Sequence, residues 1–468
     1  MQGKQGFDAN AKASIDLESF VAGDHFLRRI DSIIDLSFIR ELTAACYVDG
    51  HGRPSIDPEV FFRMQLVAYF YGIATDRRLC EEIRYNLAYR WFCRQSLEGE
   101  IPDHSSLTRI RDRLGEGIFE SVFRQIVEQC KQKGLVKADC RVMTDATLVE
   151  ADASLDSLIH NDPDKAKQEA EARRPRGLVD HANKQRLTNH THTSRTDPDA
   201  TLCQKRGSPR HLKYKVHQTI DADSRIILDT EVTTGAKHDS QPYLQQLERI
   251  VDRYDITIRE ATADRGYGSA EIIKALKTKG TQTYIPLWNR RVGKNTGEAA
   301  GLVYERDGDR IRCAAGKYLY PSTGDYWNRT RYASLPGQCR DCPMASSCMA
   351  TNRPNAPYTR FVLRPNNQDV FDEVEAQMDD STFKQRVSER MWKSEGLFAE
   401  AKQYHGLARA KYRGRAKVQI QAYLCAIVQN LKRLLFPLYY WLLALRCSYS
   451  ASNAPPSRSN QSRASTNR

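Results

Sequence analysis

The sequence predicts a mixed α/β chain in which a helical first part precedes a strand-rich middle and a basic, helical end. Three observations predict it. Through about residue 140, apolar side chains recur at helical spacing, as at Phe61, Met64, Val67 and Phe70. From Arg141 the periodicity becomes strand-like, with Tyr214, Val216 and Ile220 before the turn Asp221–Ser224 and Ile226, Ile227, Leu228 and Val232 after it. Positive charge collects at the end. Residues 381–468 hold 16 Lys and Arg against 3 Asp and Glu, which is the whole of the net +13. A neutral body with one basic end suits a polyanionic partner.

The 468 residues suffice for two or three domains, and a composition 40% hydrophobic and 28% charged is that of a globular chain. Residues 1–19 are an N-terminal tail without the apolar core of a secretion signal. The greasiest run, Leu434–Leu445, has 12 residues and contains Pro437. That is short of the roughly 20 that span a bilayer, so it reads as a closing helix or packing segment and no membrane partner is expected. Twelve cysteines without export features point to the reducing cytoplasm, with thiols or metal ligands in place of disulfides.

Residues 20–140 read as a helical domain. Asp57 and Pro58 suit the N-cap and first position of a helix reaching Gly72, and a second begins near Asp76 with Leu79, Ile83 and Leu87. After the turn at 101–106, Leu107, Ile110 and Leu114 form one stripe while Arg109 and Arg113 share another face. This suits either a helix-turn-helix-like DNA reader or a bundle with solvated arginines. Residues 141–285 carry a strand at Arg141–Thr147 and a polar stretch, 154–209, either a DNA-embracing or a solvated loop. They then carry the hairpin, a strand running to Asp264, and a helix from Ala270 to Lys279 capped by Ser269. Strand pairs followed by strand–helix units fit an α/β core. Residues 286–380 are a Cys-rich insertion, 381–447 basic helices, and 448–468 a Ser/Asn/Arg tail expected to be disordered.

The chemistry concentrates in residues 386–415. Glu395 and Lys402 are seven apart, nearly two turns, so on a helix both point the same way. Arg409, Lys411, Arg413 and Arg415 follow, a run suited to non-specific contact with a phosphate backbone. Asp145 and Asp264, each near a strand end, could join Glu395 around Mg²⁺ or Mn²⁺, hard ions that prefer carboxylate oxygen to imidazole or thiolate. Each residue has a plainer reading. An isolated Asp is most often a turn or surface residue; Glu389 and Glu400 compete with Glu395, and Asp152 with Asp145. His217 and His238 are read as hydrogen-bonding residues at strand ends, with support of the site as the alternative.

Asp145-Ala-Thr147, Lys213-Tyr-Lys-Val-His217, Thr234-Gly-Ala-Lys-His-Asp239, Ala263-Asp-Arg-Gly-Tyr267 and Ser394-Glu-Gly-Leu-Phe-Ala-Glu-Ala-Lys402 form an ordered set. Over roughly residues 20–440 the chain resembles bacterial insertion-sequence transposases of the DDE type, IS-five superfamily, IS-eleven-eighty-two-like. One departure stands out: the Arg often found four residues before the Glu is Met391 here, with Arg390 one step earlier. The resemblance implies a ribonuclease-H-like fold with Asp145, Asp264 and Glu395 as the metal-binding catalytic carboxylates. It also implies hydrolysis at the element ends followed by strand transfer, and an oligomer, at least a dimer, on double-stranded DNA in the bacterial nucleoid. A silent DNA-binding descendant and a stand-alone nuclease are the competing classes.

Cys339-Arg-Asp-Cys342 with Cys348 nearby and Cys313 upstream has spacing compatible with tetrahedral Zn²⁺, against four free thiols. Similar proteins carry such a cluster in the insertion before the Glu, where zinc would be structural.

Overall fold

The structure, a computed structural model, describes residues 12, 14–48, 55–165, 187–204, 207, 209–287, 301–325, 329–348 and 359–452. The first part is helical: α1 (Leu17–Phe20), α2 (Phe26–Asp31), α3 (Phe38–Thr43), α4 (Pro58–Phe70), α5 (Asp76–Tyr85), α6 (Leu87–Phe92) and α7 (His104–Gln132). Local chemistry sets the starts. The Asp57 carboxylate accepts the Glu59 N–H at 2.8 Å with Pro58 at the first position, and Thr75 caps α5 through the Arg78 N–H. Past α4, Gly72 has φ +63°, and a Cβ there would lie 2.7 Å from the Tyr404 carbonyl oxygen. Only glycine suits both the dihedral and the close approach. α7 continues past the expected Leu114 to Gln132 across a kink at Gly115, which has φ 65° and ψ 175°.

The strands follow: β1 (Asp139–Glu150), β2 (Leu158–His160), β3 (His192–Ser194), β4 (Thr201–Cys203), β5 (His211–Asp221), β6 (Ile227–Thr234), β7 (Thr257–Thr262) and β8 (Gln282–Tyr284). Helix α8 (Tyr243–Tyr254) enters before β7 and α9 (Ala270–Thr278) before β8. The main sheet runs β6-β5-β1-β7-β8, with β4 also on β5. β5 is antiparallel to both β1 and β6, while β7 is parallel to β1 and β8 to β7. The tight turn explains the antiparallel pair, since the Asp221 carboxylate accepts the N–H groups of Asp223 and Ser224 at 3.1 and 2.7 Å. The parallel pair β7–β8 is bridged by α9, capped by the Ser269 hydroxyl. This is a ribonuclease-H-like arrangement. The polar stretch 154–209 is only in part a loop: β2 pairs with β3, and β4 with β5. Three-residue strands are too short for alternation to show.

An antiparallel sheet ordered β13-β12-β11-β10-β9 forms the insertion, from β9 (Val303–Glu305), β10 (Arg310–Arg312), β11 (Tyr318–Asp325), β12 (Arg329–Ser334) and β13 (Phe361–Pro365). It has its own small core of Leu302, Ile311, Leu319, Tyr332 and Val362. Helices α10 (Ala345–Cys348), α11 (Gln368–Met378), α12 (Ser381–Tyr404) and α13 (Arg415–Ser452) complete the described chain. The greasy run at 434–445 lies within α13, and no helix among the described residues is long and apolar enough to cross a membrane.

One hydrophobic cluster joins Phe61 and Phe119 of the helical part, Val216 and Leu228 of the sheet, and Leu424 and Val428 of α13. Buried amides on α13 satisfy β6 along its length. Asn430 bonds both the N–H and C=O of Ile227 at 2.8 and 2.9 Å, and Gln419 bonds the Val232 N–H and Thr230 C=O at 2.6 and 2.9 Å. These polar residues inside an apolar helix therefore hold a sheet edge whose groups would otherwise be unpaired.

Candidate active site

The β1–β7 register sets the site. Met143 lies opposite Thr262 in parallel pairing, and continuing two residues brings Asp145 beside Asp264, on the same face. Asp264 ends the strand by capping the turn Arg265–Tyr267, its Oδ1 accepting the Gly266 N–H at 2.7 Å. The third carboxylate comes from α12, which lies across the sheet. Arg386 donates to Glu260 of β7 at 2.8 Å, Arg141 of β1 to Glu389 at 3.2 Å, and the buried Lys393 to the Ala222 carbonyl at 2.7 Å. Glu395 is exposed on the open side of the helix.

Asp145 feels the charges of the other two carboxylates. Burial pushes the Asp145 carboxyl up to about 6; Arg390 and the Ala146 N–H act to lower it, and the charges of Asp264 and Glu395 raise it further. Asp145 Oδ1 accepts the Ala146 N–H at 2.8 Å and Oδ2 accepts Arg390 Nη1 at 2.6 Å. Among the described residues no three His, Cys, Asp or Glu side chains stand at metal-ligand spacing. The donor set nonetheless fits a hard dication in its chemistry: three oxygen ligands from separate elements with excess negative charge, part of which Arg390 now balances.

The competing carboxylates are occupied. Glu389 is paired with Arg141, Lys393 and Arg386, and Glu400 with Lys432, Arg433 and His405. Asp152, near the end of β1, takes Arg409 at 3.0 Å and Arg413 at 3.4 Å. His217 is buried, bonded to the Thr233 hydroxyl at 2.9 Å and pushed down to about 4 by burial, so it is a neutral core residue. His238 bonds Ser240.

The basic residues divide. Arg409, Arg413 and Arg415 are exposed, the last 3.6 Å from Glu116, and such surface pairs are worth at most about 1 kcal/mol and can give way to phosphate. Lys411 does not belong with them. Its Nζ donates to the Ile73 carbonyl at 2.8 Å and sits 4.2 Å over the Tyr69 ring, largely enclosed. Arg109 and Arg113 are exposed, whereas Arg111 between them is buried, bonded to Asp76 at 2.9 Å and stacked on Tyr412. Lys402 is partly buried near the end of α12.

The tetrahedral thiol set expected at Cys313, Cys339, Cys342 and Cys348 is not formed. All four are partly buried free thiols, with Cys339 Sγ donating to the Ser334 hydroxyl at 3.5 Å. Thiols have no attraction for one another without the ion. The sequence marked Arg390 only as an Arg one step from the expected position and gave it no role in the site. Its signal was a charged residue in the buried stripe of α12 that includes Leu397 and Ala401.

Two family matches bear on this geometry. Residues 15–113, most of the helical part, match a family described as a transposase domain (DUF772), and residues 312–435 match a transposase DDE domain. The protein is a DDE-type transposase. The second match includes Glu395, Lys402 and the four cysteines. Solved structures resemble it only loosely. The piggyBac transposase synaptic complex with hairpin DNA shares 11% identity at a TM-score of 0.33, over 92% of this chain and 82% of that one. A pre-cleavage Mos1 transpososome shares 13% at 0.16, over 51% and 61%, and a Mos1 mariner paired-end complex with Mn shares 14% at 0.16, over 57% and 70%. No curated protein matches the transposase.

Proposed function

We propose that this transposase, of the IS-five-superfamily, IS-eleven-eighty-two-like kind, binds the ends of its insertion sequence and cuts and joins DNA with Asp145, Asp264 and Glu395. The observation that supports this reading is the parallel β1–β7 pairing, whose last pair, Met143 and Thr262, lies two residues before Asp145 and Asp264, with Arg390 of α12 bonded to Asp145. Those carboxylates would hold Mg²⁺ or Mn²⁺, which when bound activates water and neutralises charge on the leaving oxygen. In hydrolysis a water oxygen bonds to phosphorus and the bond to the 3′ oxygen breaks, leaving a 3′-hydroxyl. That hydroxyl then attacks a target phosphodiester, with one P–O bond formed for each one broken. Lys402 steadies a phosphate near Glu395, while Arg409, Arg413 and Arg415 hold backbone without reading sequence. Arg109 and Arg113 present a basic helix face to the element ends. Two ends must meet, so the working form on DNA is at least a dimer.

In the insertion, Lys317 Nζ donates to the Gln338 carbonyl at 2.6 Å, setting the Cys313 turn beside the loop of Cys339 and Cys342. That proximity supports a structural zinc there, with no part in the chemistry.

The test is cleavage of labelled DNA carrying the element's ends, in Mg²⁺ and in Mn²⁺. The wild type cuts at the end junction, and Asp264→Asn binds the DNA but cuts slower by on the order of 10³-fold. Equal cleavage by both chains would overturn the assignment.

A further inference from the structure

The run 409–415 is fixed by its backbone. Glu150 of β1 holds it twice, its N–H donating to the Ala408 carbonyl at 3.1 Å and its carbonyl accepting the Ala410 N–H at 2.7 Å. The Gln421 amide accepts the Lys411 N–H at 2.8 Å and donates to the Arg409 carbonyl at 2.9 Å. Asp197, fully buried, accepts the Gly414 N–H at 3.1 Å together with the Tyr214 hydroxyl, and Asp199 accepts the Arg415 N–H at 2.9 Å. Lys411 and Tyr412 turn inward, so Arg409, Arg413 and Arg415 stand exposed on a pinned backbone. The same run meets α7. Lys417 Nζ lies 2.8 Å from Asp112, and Arg415 3.6 Å from Glu116. Asp112 stands one turn after Arg109 and next to Arg113, and all three are exposed. At the other end of the run, Arg409 and Arg413 share Asp152 at 3.0 and 3.4 Å.

We infer that α7 and the run 409–417 form one duplex-binding surface, on which Arg109, Arg113, Arg409, Arg413, Arg415 and Lys417 hold the same DNA backbone and phosphates replace Asp112, Glu116 and Asp152 as their partners. The inference rests on the backbone contacts proposed above and adds that the helical part and the catalytic sheet grip one DNA together. Exposed ion pairs are exchanged cheaply, each worth at most about fivefold in an equilibrium, whereas each phosphate neutralised releases counterions. Asp152 lies seven residues beyond Asp145, most of them in β1, so no more than about 25 Å separates the two. A duplex entering the carboxylate site thus reaches this surface within one helical turn, about 34 Å.

The test is fluorescence anisotropy with the full chain, over a salt series and without metal, of a labelled duplex about two helical turns long that lacks the element ends. Asp152→Asn and Asp112→Asn each remove a competing carboxylate and should tighten binding about threefold at low salt, a gain that misfolding cannot produce. Arg109→Ala with Arg113→Ala, and separately Arg415→Ala with Lys417→Ala, should each flatten the slope of log K against log salt by about 2, and all four together by about 4. Affinity unchanged in both Asn variants, or a slope unmoved by either pair, would overturn the inference. Two duplexes bound per wild-type chain, each lost with one pair, would overturn it as well. Asp264→Asn should bind this duplex as the wild type does, so these results leave the carboxylate assignment standing. A wild type that binds no duplex would overturn the proposed backbone contacts along with the shared surface.

Discussion

Asp145 meets opposing demands: a half-exposed carboxylate would stay ionised cheaply, while a buried one beside Asp264 and Glu395 resists ionisation. Its folded pKa is raised to about 6 from an ordinary 3.8, so the folded chain holds this proton more tightly than the unfolded chain. Ionising it therefore costs stability, a cost absent below about pH 4, growing through the interval, and complete above about pH 6. A cation at this site competes with that proton. Half-saturating Mn²⁺ should accordingly rise about tenfold per pH unit below about pH 6 and stay flat above it, as measured by Mn²⁺ titration between pH 5 and 8. A flat response across the range would mean that Asp145 is not a ligand. The sequence proposed Asp145, Asp264 and Glu395 chiefly through the ordered motifs of the resemblance, with Lys402 seven residues on favouring Glu395 over its neighbours. Arg390 was marked there only as an Arg one step from the expected place, and the packing of α12 is what shows its guanidinium reaching Asp145 of β1.

Among the elements, α12 is held at both ends by charge. Toward its start, Arg386, Glu389 and Lys393 tie it to the sheet; toward its end, Glu400 takes Arg433 at 2.9 Å, Gln429 at 3.3 Å, Lys432 and His405. These contacts hold the Glu400 carboxyl far below the usual carboxylate range, against the upward push of burial. A depressed folded pKa contributes stability that is present above the unfolded value, near 4.5, and is lost as pH falls below it. Glu400→Ala should cost about 3 kcal/mol at pH 7, since it strands two partly buried cations, and the loss should shrink toward pH 3 in denaturant titrations. A pH-independent loss would point to packing in place of charge. The starts of α4, α5 and α9 could be read from sequence because caps are local, and the β5–β6 hairpin because its turn chemistry is local. The short strands β2, β3 and β4 could not, because their pairing depends on residues far along the chain. The amides of Gln419 and Asn430 looked out of place in an apolar helix until β6 supplied their partners.

At the scale of the whole molecule, helical part and sheet share one core through α13, and Arg111 bolts α7 to Asp76 and Tyr412. The sequence suggested separate domains because periodicity changes at Arg141, yet a change of period does not reveal which faces meet. The basic end is partly committed to internal pairs, leaving Arg409, Arg413 and Arg415 as exposed guanidiniums on weak surface bridges. Replacing all three by Glu should weaken binding to any duplex alike and flatten the slope of log K against log salt by about 3, as measured by fluorescence anisotropy. A change confined to element-end DNA would instead assign these residues to sequence reading. The central claim concerns which carboxylate of α12 does the chemistry, and cleavage of element-end DNA by Glu395→Gln beside Glu389→Gln tests it most directly. Glu389 is bound up in ion pairs to the sheet and Glu395 is open, so Glu395→Gln should lose on the order of 10³-fold in cleavage while Glu389→Gln stays near the wild type. Wild-type cleavage by Glu395→Gln would contradict it.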